Sequence, residues 1–249
     1  MYFSESICST YSLRISLPKL TDIASSDTEI KSLESVFDSM QLERSVKIAR
    51  CRPTCVFSSE TNTYVVNDDS TGSIDIILQD STVKRSFIKL ADSAWGTRIY
   101  QNRIYCLMKG TPSIMFVFNL KGKVVAKWEH ESTGRWYYNF VIVLDQVIIP
   151  DRHQKQLKFY SLEGKLVSNV ACPQISDHWI DICMADQSSI VISDHASSQV
   201  FKYDLTTNQT IWTCRDIKAP LGVACYKEQC ILVASPRSNA LKVLSVETG

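Results

Sequence analysis

The 249-residue chain is 45% hydrophobic and 21% charged, a balance that fits a globular protein and excludes extended disorder. Its 27 basic and 26 acidic side chains give a net charge of +1, which excludes an overall attraction to nucleic acid or to an anionic membrane. It contains no apolar run of about eighteen residues, so we expect no membrane span.

The nine cysteines are odd in number and form no C-x-x-C pair, and several lie within apolar, strand-like runs, such as Cys183 and Cys230. A free thiol in such a run behaves as a small hydrophobe. The start of the chain lacks the basic residues and the continuous apolar stretch of a secretion signal. The sequence therefore predicts a reduced, cytoplasmic protein.

Residues 1–49 are expected to form a strand-helix-strand segment. Strands are predicted at residues 11–17 and 45–48, and between them Ser26 and Glu29 have the spacing of a helix capping box. Apolar residues then follow at helical spacing: Ile30, Leu33, Phe37 and Met40. This pattern predicts a short amphipathic helix, which either packs on the outside of the following domain or docks a partner.

Residues 50–249 contain five segments with one pattern, in which a turn residue leads into an apolar strand and two further strands follow. The turn residues are separated by 42, 41, 43 and 41 positions; they are Pro53, Trp95, Trp136, Trp179 and Pro220. The second strands are predicted at residues 63–66, 103–107, 146–149, 189–192 and 230–234. The third strands are predicted at residues 74–77, 114–118, 157–160, 200–203 and 241–244.

The third strands and the turns after them add two local expectations. Lysine alternates with apolar residues at Lys158, Lys202 and Lys242, which predicts one packed strand face and one face in solvent. Gly122 and Gly164 lie in short polar turns before a fourth apolar run. A tight hairpin needs positive φ at such a position, so each glycine predicts the start of a fourth strand.

Groups of four short strands at a period of about 42 residues are typical of β-propeller blades. One such sheet cannot bury both of its faces, and packing it between two neighbours around an axis solves that problem. The sequence therefore predicts an all-β protein, a β-propeller with five recognisable four-stranded blades at residues 50–249. A two-layer sandwich is the competing all-β fold, but it does not require a repeat of this period.

The residue pattern of the repeats resembles that of NHL repeats, the propeller blades at the C-terminal end of many tripartite-motif proteins. The likeness is clearest in Pro220-Leu221-Gly222-Val223-Ala224, and Asp151 and Asp194 resemble the acidic residue that ends the second strand in that family. WD-repeat propellers are a poorer match, because no Gly-His or Trp-Asp pair recurs at the repeat positions. The NHL resemblance implies six blades, with the last blade partial or closed by N-terminal strands.

The resemblance does not extend to the ligase domains of tripartite-motif proteins. Cys51 and Cys55 have no second pair of cysteines or histidines at zinc-ligand spacing, so we expect neither a metal site nor ligase activity in this chain. A metal-dependent propeller hydrolase or lyase would need several convergent carboxylates or imidazoles. The four histidines are scattered along the sequence, so we expect no enzyme and no cofactor.

Binding residues are expected on the loops at one end of the blades, where propellers and other scaffolds carry their variable chemistry. Tryptophans with nearby cations can stack on bases or aromatic side chains while arginine holds a phosphate or carboxylate; the alternative is that the tryptophans wedge between blades. The candidates at the starts of the blades are Arg52, Trp95, Arg135, Trp136, Tyr137, Tyr138, His178 and Trp179. Those after the second strands are Arg152, His153, Lys155, His195, Arg237 and Asn239.

Together these residues predict a non-catalytic binding platform that recognises a protein partner, such as the substrate of a ubiquitin ligase. RNA binding through a basic face is the alternative that the resemblance also implies, although Asp68, Asp69, Asp151 and Asp194 would weaken such a field. The two hypotheses differ in one feature: RNA binding requires Arg52, Arg135, Arg152 and Arg237 to lie on one face of the ring and not on both. A metal-dependent hydrolase or lyase is the second alternative.

Overall fold

The computed structural model describes residues 53–58, 64–68, 72–77, 83–90, 94–110, 112–130, 139–176, 178–226, 230–238 and 240–249. These residues belong to a compact unit, Arg52–Gly249, and contain no α-helix. Nineteen strands form five separate antiparallel sheets. The predicted division at residue 50 and the strand-helix-strand segment at residues 1–49 fall outside the described residues.

Each sheet is built from consecutive strands in the order of the chain. The first sheet holds β1 (Pro53–Ser58), β2 (Tyr64–Asp68), β3 (Ser73–Ile77) and β4 (Val83–Lys89), and the second holds β5 (Ala94–Tyr100), β6 (Arg103–Met108), β7 (Ser113–Asn119) and β8 (Val124–His130). The third holds β9 (Val141–Val143), β10 (Gln146–Asp151), β11 (Gln156–Ser161) and β12 (Leu166–Ala171). The fourth holds β13 (Ile180–Met184), β14 (Ser189–Asp194), β15 (Gln199–Asp204) and β16 (Gln209–Cys214), and the fifth holds β17 (Gly222–Tyr226), β18 (Cys230–Ser235) and β19 (Ala240–Ser245).

The five sheets are arranged as the blades of a propeller. The first strand of each blade contacts the first strand of the next, from β1 to β5, β9, β13 and β17 in turn. Contacts from β2 to β5 and from β14 to β17 also join neighbouring sheets. Separate sheets that follow one another through their first strands are not the two stacked layers of a sandwich, so the propeller prediction is confirmed. Every predicted second and third strand lies within or overlaps a strand of the structure. Among the described residues, the fifth blade has three strands and the other four have four.

The hydrophobic core lies between the blades. On β10, Ile148 faces the fourth blade, whereas Val147 and Ile149 face the second blade. On β14, Ile190 faces the third blade and Val191 faces the fifth. Both faces of the middle strands are therefore buried, which explains why their sequences are nearly continuous runs of Val and Ile.

Burial of both faces corrects one expectation from the sequence. Lys158 and Lys202 do not meet solvent: they are 5% and 9% exposed, each on a strand face covered by a neighbouring blade. Lys158 pairs with Asp151 at 2.8 Å, and Lys202 pairs with Asp186 at 3.0 Å. The alternation of lysine with apolar residues predicts a solvent-exposed strand face, but in the structure the face that carries the lysine is also packed and contains an ion pair.

The hairpins between third and fourth strands have the predicted turn chemistry. Gly122 has φ of +79° and Gly164 has φ of +90°, a region that residues with a Cβ rarely adopt. Gly164 also lies against the indole ring of Trp128 from the second blade, and that ring stacks on Tyr160 at a centroid distance of 4.9 Å. This glycine is therefore needed both for the turn and for the close approach of two blades.

Candidate functional site

The loops from second to third strands lie at the same end of the antiparallel sheets as the segments that lead into the first strands. We call this end the loop face; its described residues include Lys109, residues 139–140, residues 152–155, His178, Trp179, residues 195–198, residues 215–221 and Pro236–Ser238. The opposite end carries the tight hairpins, including residues 101–102, 144–145 and 162–165. The sequence placed its binding candidates on the loop face.

An aromatic cluster joins His178, Trp179 and His195 on the fourth blade. The two imidazole rings stack at 5.3 Å, and the indole ring is tilted against them at 5.5 Å and 5.1 Å. The register of the blade causes this meeting: Ile180 pairs with Asp194, and His195 N–H donates to the Trp179 carbonyl at 3.0 Å. All three side chains are partly exposed, but Trp179 Nε1 and His178 Nδ1 are buried, so the cluster presents mainly ring surface.

The electrostatics around His195 favour its neutral form. Burial lowers the pKa of His195, and the nearby His178 and Arg237 lower it further, whereas Asp194 acts in the opposite direction. Arg237 lies on the short 3-10 turn Pro236–Ser238 of the fifth blade and is exposed. Loss of hydration is therefore the main reason for the lowered pKa, and the positive charge of the Arg237 guanidinium adds to it.

Asp194, which ends β14, holds the loop beneath this cluster. Its carboxylate accepts hydrogen bonds from the backbone N–H groups of Ser176 at 2.7 Å and of Ala196 and Ser197 at 3.2 Å, and from the Ser176 hydroxyl. The side chain is fully buried. A carboxylate that is committed to four donors fixes the backbone that carries His195 and leaves little negative charge at the surface.

A related pair occurs on the second blade. The Lys109 ammonium lies over the ring of Trp95 at 4.8 Å from its centroid, a cation–π arrangement. The pairing of β5 with β6 is interrupted between Ala94 and Gly96, so Trp95 is the extra residue of a bulge, a device that redirects a side chain. The second and fourth blades thus each place a tryptophan beside a cationic or imidazole side chain from the following loop.

Other predicted binding residues differ in exposure. Arg152 is 2% exposed and its guanidinium contacts the His153 ring at 3.3 Å, so it lies beneath the surface and does not present its charge to solvent. His153 and Lys155 are exposed on the loop of the third blade. Asp151 is buried with Lys158, so it does not oppose a cation at the surface. The remaining candidates lie outside the described residues: Arg52, Arg135, Trp136, Tyr137, Tyr138 and Asn239.

The inner strands carry a polar belt that the sequence analysis did not single out. Asn139 Nδ2 donates to Asp181 Oδ1 at 2.6 Å, and Val223 N donates to Asp181 Oδ2 at 2.9 Å; each step spans 42 positions. Burial raises the pKa of Asp181, while Arg98 acts to lower it. The signal that could have revealed the belt is the repeat itself, because these residues occupy equivalent positions in consecutive blades.

Arg98 extends from β5 towards a blade that is not its neighbour. Its Nη2 donates to the Ile182 carbonyl on β13 at 3.3 Å, and the guanidinium lies over the Phe140 ring at 5.6 Å. The second and fourth blades are therefore linked directly, past the third. Its position depends on the width of the channel between the inner strands, which no local pattern in the sequence reveals.

A polar cleft of about 340 Å³ lies between the second and third blades, lined by residues that include Glu129, Lys158, Tyr160 and Asn169. Next to it, His130 Nδ1 and the Tyr160 hydroxyl are 2.8 Å apart. Burial and the Lys158 charge lower the pKa of His130 to about 4, although Asp151 opposes the shift. This histidine is held neutral inside the fold and does not act at the surface.

Within the described residues, no three His, Cys, Asp or Glu side chains are grouped as a metal site would need. The same part of the chain has no helix with the length and apolar character to span a bilayer.

No family model and no curated protein sequence matches the chain. Solved structures do match. A protein of unknown function from Bacteroides caccae has a TM-score of 0.66 at 11% identity, over 86% of this chain and 85% of that one. A catalytically inactive variant of virginiamycin B lyase from Staphylococcus aureus, solved with quinupristin, has a TM-score of 0.59 at 11% identity, over 83% and 69% of the two chains.

A streptogramin B lyase structure is similar to the same extent, with a TM-score of 0.58 at 10% identity, over 83% of this chain and 73% of that one. At such identities the likeness concerns the fold alone. The blade topology and these structures agree that the chain is a β-propeller.

Proposed function

We propose that this propeller is a non-catalytic binding platform that recognises a protein partner through its loop face. The observation that carries the proposal is the cluster of His178, Trp179 and His195, in which three partly exposed rings lie within 5.5 Å of one another. Tryptophan and arginine dominate the binding energy of protein interfaces, and Arg237 lies close enough to influence His195. The rigid loop beneath, held by Asp194, keeps the cost of ordering the surface low.

The proposal includes the finer role that NHL propellers suggest, which is recognition of a substrate for a ligase whose catalytic domains lie elsewhere. Protein recognition is favoured over RNA because, of the two candidate arginines that the structure describes on the loop face, Arg152 is buried and Arg237 is exposed. Single-stranded RNA is usually held by a groove of several exposed cations that follows its phosphates. The two lyases share the blade architecture with this chain, and we propose no reaction for it on that basis.

The test is a crosslinking pulldown from cell lysate with the full chain as bait, with and without nuclease. The site variant is Trp179→Ala, and the matched control is Leu144→Asn at the opposite end of the third blade, where Leu144 is 73% exposed with φ of 49°. Asparagine tolerates that backbone conformation, so the control should fold at least as well as the parent.

We expect the parent and Leu144→Asn to retain the same protein after nuclease treatment and Trp179→Ala to lose it, while melting curves show that both variants fold. Equal capture by all three baits would show that the loop face is not the binding surface. Loss of the partner on nuclease treatment would favour RNA binding instead.

A further inference from the structure

The cluster of His178, Trp179, His195 and Arg237 has a chemistry that selects among partners. Two stacked imidazoles and an indole ring form its centre, and the exposed Arg237 is near enough for its charge to act on His195. The nearby acidic side chain, Asp194, is buried and already accepts four hydrogen bonds. Among the described groups of this cluster, Arg237 and His195 can donate to an anion, so charge complementarity favours a ligand that carries a negative charge.

We propose that this cluster binds a carboxylate side chain from an acidic segment of the partner, and that binding takes up a proton on His195; the inference rests on the binding role proposed above. The carboxylate accepts hydrogen bonds from Arg237 and from His195, and the apolar part of the ligand side chain lies against Trp179. An Arg–carboxylate contact is short and directional, so the cluster recognises a position in a peptide and not merely a net charge.

Proton uptake follows from the charges around His195. In the free protein, burial and the nearby His178 and Arg237 favour the neutral form of the His195 ring. Asp194 favours the charged form. A bound carboxylate adds a second anion and offsets the repulsion from Arg237, so the charged form becomes more stable in the complex. A group that binds protons more tightly in the complex makes the affinity rise as the pH falls.

A peptide carboxylate fits this site better than a chain of phosphates. Of the two candidate arginines that the structure describes on the loop face, Arg237 is exposed, whereas Arg152 is only 2% exposed. One arginine and one or two imidazoles match a single carboxylate, whereas affinity for a nucleic acid grows with the number of phosphates neutralised. A phosphate ligand is therefore an outcome that the test must distinguish.

The experiment measures binding of the full chain to a hexaglutamate peptide at about pH 7.5 and about pH 5.5, a range that spans the titration of histidine. The probe for sequence-independent contact is a hexaglutamine peptide, and the probe for phosphate is a uridine octanucleotide. The variants are His195→Gln, Arg237→Gln and, as the matched cation control, Lys165→Gln on an exposed hairpin at the opposite end of the third blade.

We expect hexaglutamate to bind about tenfold more tightly at the lower pH, the scale that uptake of one proton produces over a pH unit. His195→Gln should remove this pH dependence, and Arg237→Gln should weaken binding at both pH values. Lys165→Gln should bind hexaglutamate as tightly as the parent does. Hexaglutamine should not bind to the parent.

Retention of the pH dependence in His195→Gln, or equal weakening by Lys165→Gln and Arg237→Gln, would overturn the inference. Tighter binding of the octanucleotide than of hexaglutamate would assign the site to phosphate. If hexaglutamate fails to bind while lysate capture still depends on Trp179, only the acidic ligand is wrong; if capture is also independent of Trp179, the binding role itself is wrong.

Discussion

The ammonium group of Lys158 lies 2.8 Å from the carboxylate of Asp151, and both side chains are buried in the contact between the second and third blades. The two residues lie on neighbouring strands of one blade, near the end where β10 turns into β11. The Lys158 hydrogen bond lowers the pKa of Asp151 although burial acts to raise it. The pair therefore keeps two charges ionised in a place where either alone would be costly.

Replacing one member of this pair should destabilise the protein strongly. Lys158→Met leaves the Asp151 charge buried without its cation, and we expect a loss of about 3 kcal/mol or more in the free energy of unfolding. Urea denaturation at neutral pH measures it. The matched variant is Lys202→Met, because its partner Asp186 has a side chain that is 43% exposed and can be hydrated. A loss for Lys202→Met as large as that for Lys158→Met would contradict this explanation.

His130 should make the fold sensitive to mild acid. Its pKa in the folded state is about 4, below the ordinary value of 6.5, so the unfolded chain takes up the proton first. Stability is then full above about pH 6.5 and declines as the pH falls towards 4, by about 3 kcal/mol in total. The measurement is the unfolding free energy of the parent and of His130→Asn across this range.

Asparagine can place an oxygen near the position of Nδ1 and keep the contact with the Tyr160 hydroxyl, but it does not titrate. We expect His130→Asn to be less stable than the parent at neutral pH and to show a flatter profile between pH 6.5 and 4. The lowered pKa of Asp151 puts its own contribution below this window, because a carboxylate of that kind loses its stabilising effect only at stronger acidity. An unchanged slope in the variant would rule out His130 as the cause.

The two hairpin glycines separate backbone strain from steric overlap. Gly122 and Gly164 both have positive φ, but a Cβ at Gly122 would approach the Phe87 carbonyl at 3.2 Å, whereas a Cβ at Gly164 would overlap the Trp128 ring. We expect Gly122→Ala to cost about 1–2 kcal/mol, from the backbone conformation. Gly164→Ala should cost about 1–3 kcal/mol more, because the indole must move. Thermal unfolding of the two variants compares them, and equal melting temperatures would contradict the argument.

Asp194 should matter both for stability and for binding. Asp194→Ala leaves the backbone N–H groups of Ser176, Ala196 and Ser197 without their acceptor, and we expect a loss of about 2 kcal/mol. The loop that carries His195 would also lose its support, so capture of the partner should weaken. The control is Asp204→Ala, which removes similar bonds to Thr206 and Thr207 from an exposed hairpin and should cost less. Chemical denaturation and the pulldown test both parts.

Much of the fold could be predicted because the same pattern of strands and turns occurs five times in the sequence. The sequence predicts the start of β14 at Ser189 correctly, because a run of β-branched residues between turn signals fits a strand buried on both faces. The predicted end, Ile192, is two residues short of the observed end at Asp194. The role of Lys158 could not be predicted, because the sequence pattern of lysine alternating with apolar residues is the same for a solvent-exposed strand face and for a face packed against another blade. Only the position of the neighbouring sheet distinguishes the two.

The candidate site was predicted in part. The sequence named His178, Trp179, His195 and Arg237, but not that they meet, because their proximity depends on the pairing of β13 with β14 and on where the fifth blade lies. Lys109 was missed, since it follows a strand without any motif around it. Arg152 was named for its charge alone, and its burial follows from packing that the sequence does not reveal.

Arg98 connects two blades that are not neighbours. Its hydrogen bond to the Ile182 carbonyl joins two blades separated by a third, whereas most other links in the molecule join sheets that already touch. Blades that contact only their neighbours can separate at any one contact between blades. Because the Arg98 guanidinium bridges two blades, the second and fourth blades can move apart only if this hydrogen bond breaks. The second, third and fourth blades should therefore move as one rigid body.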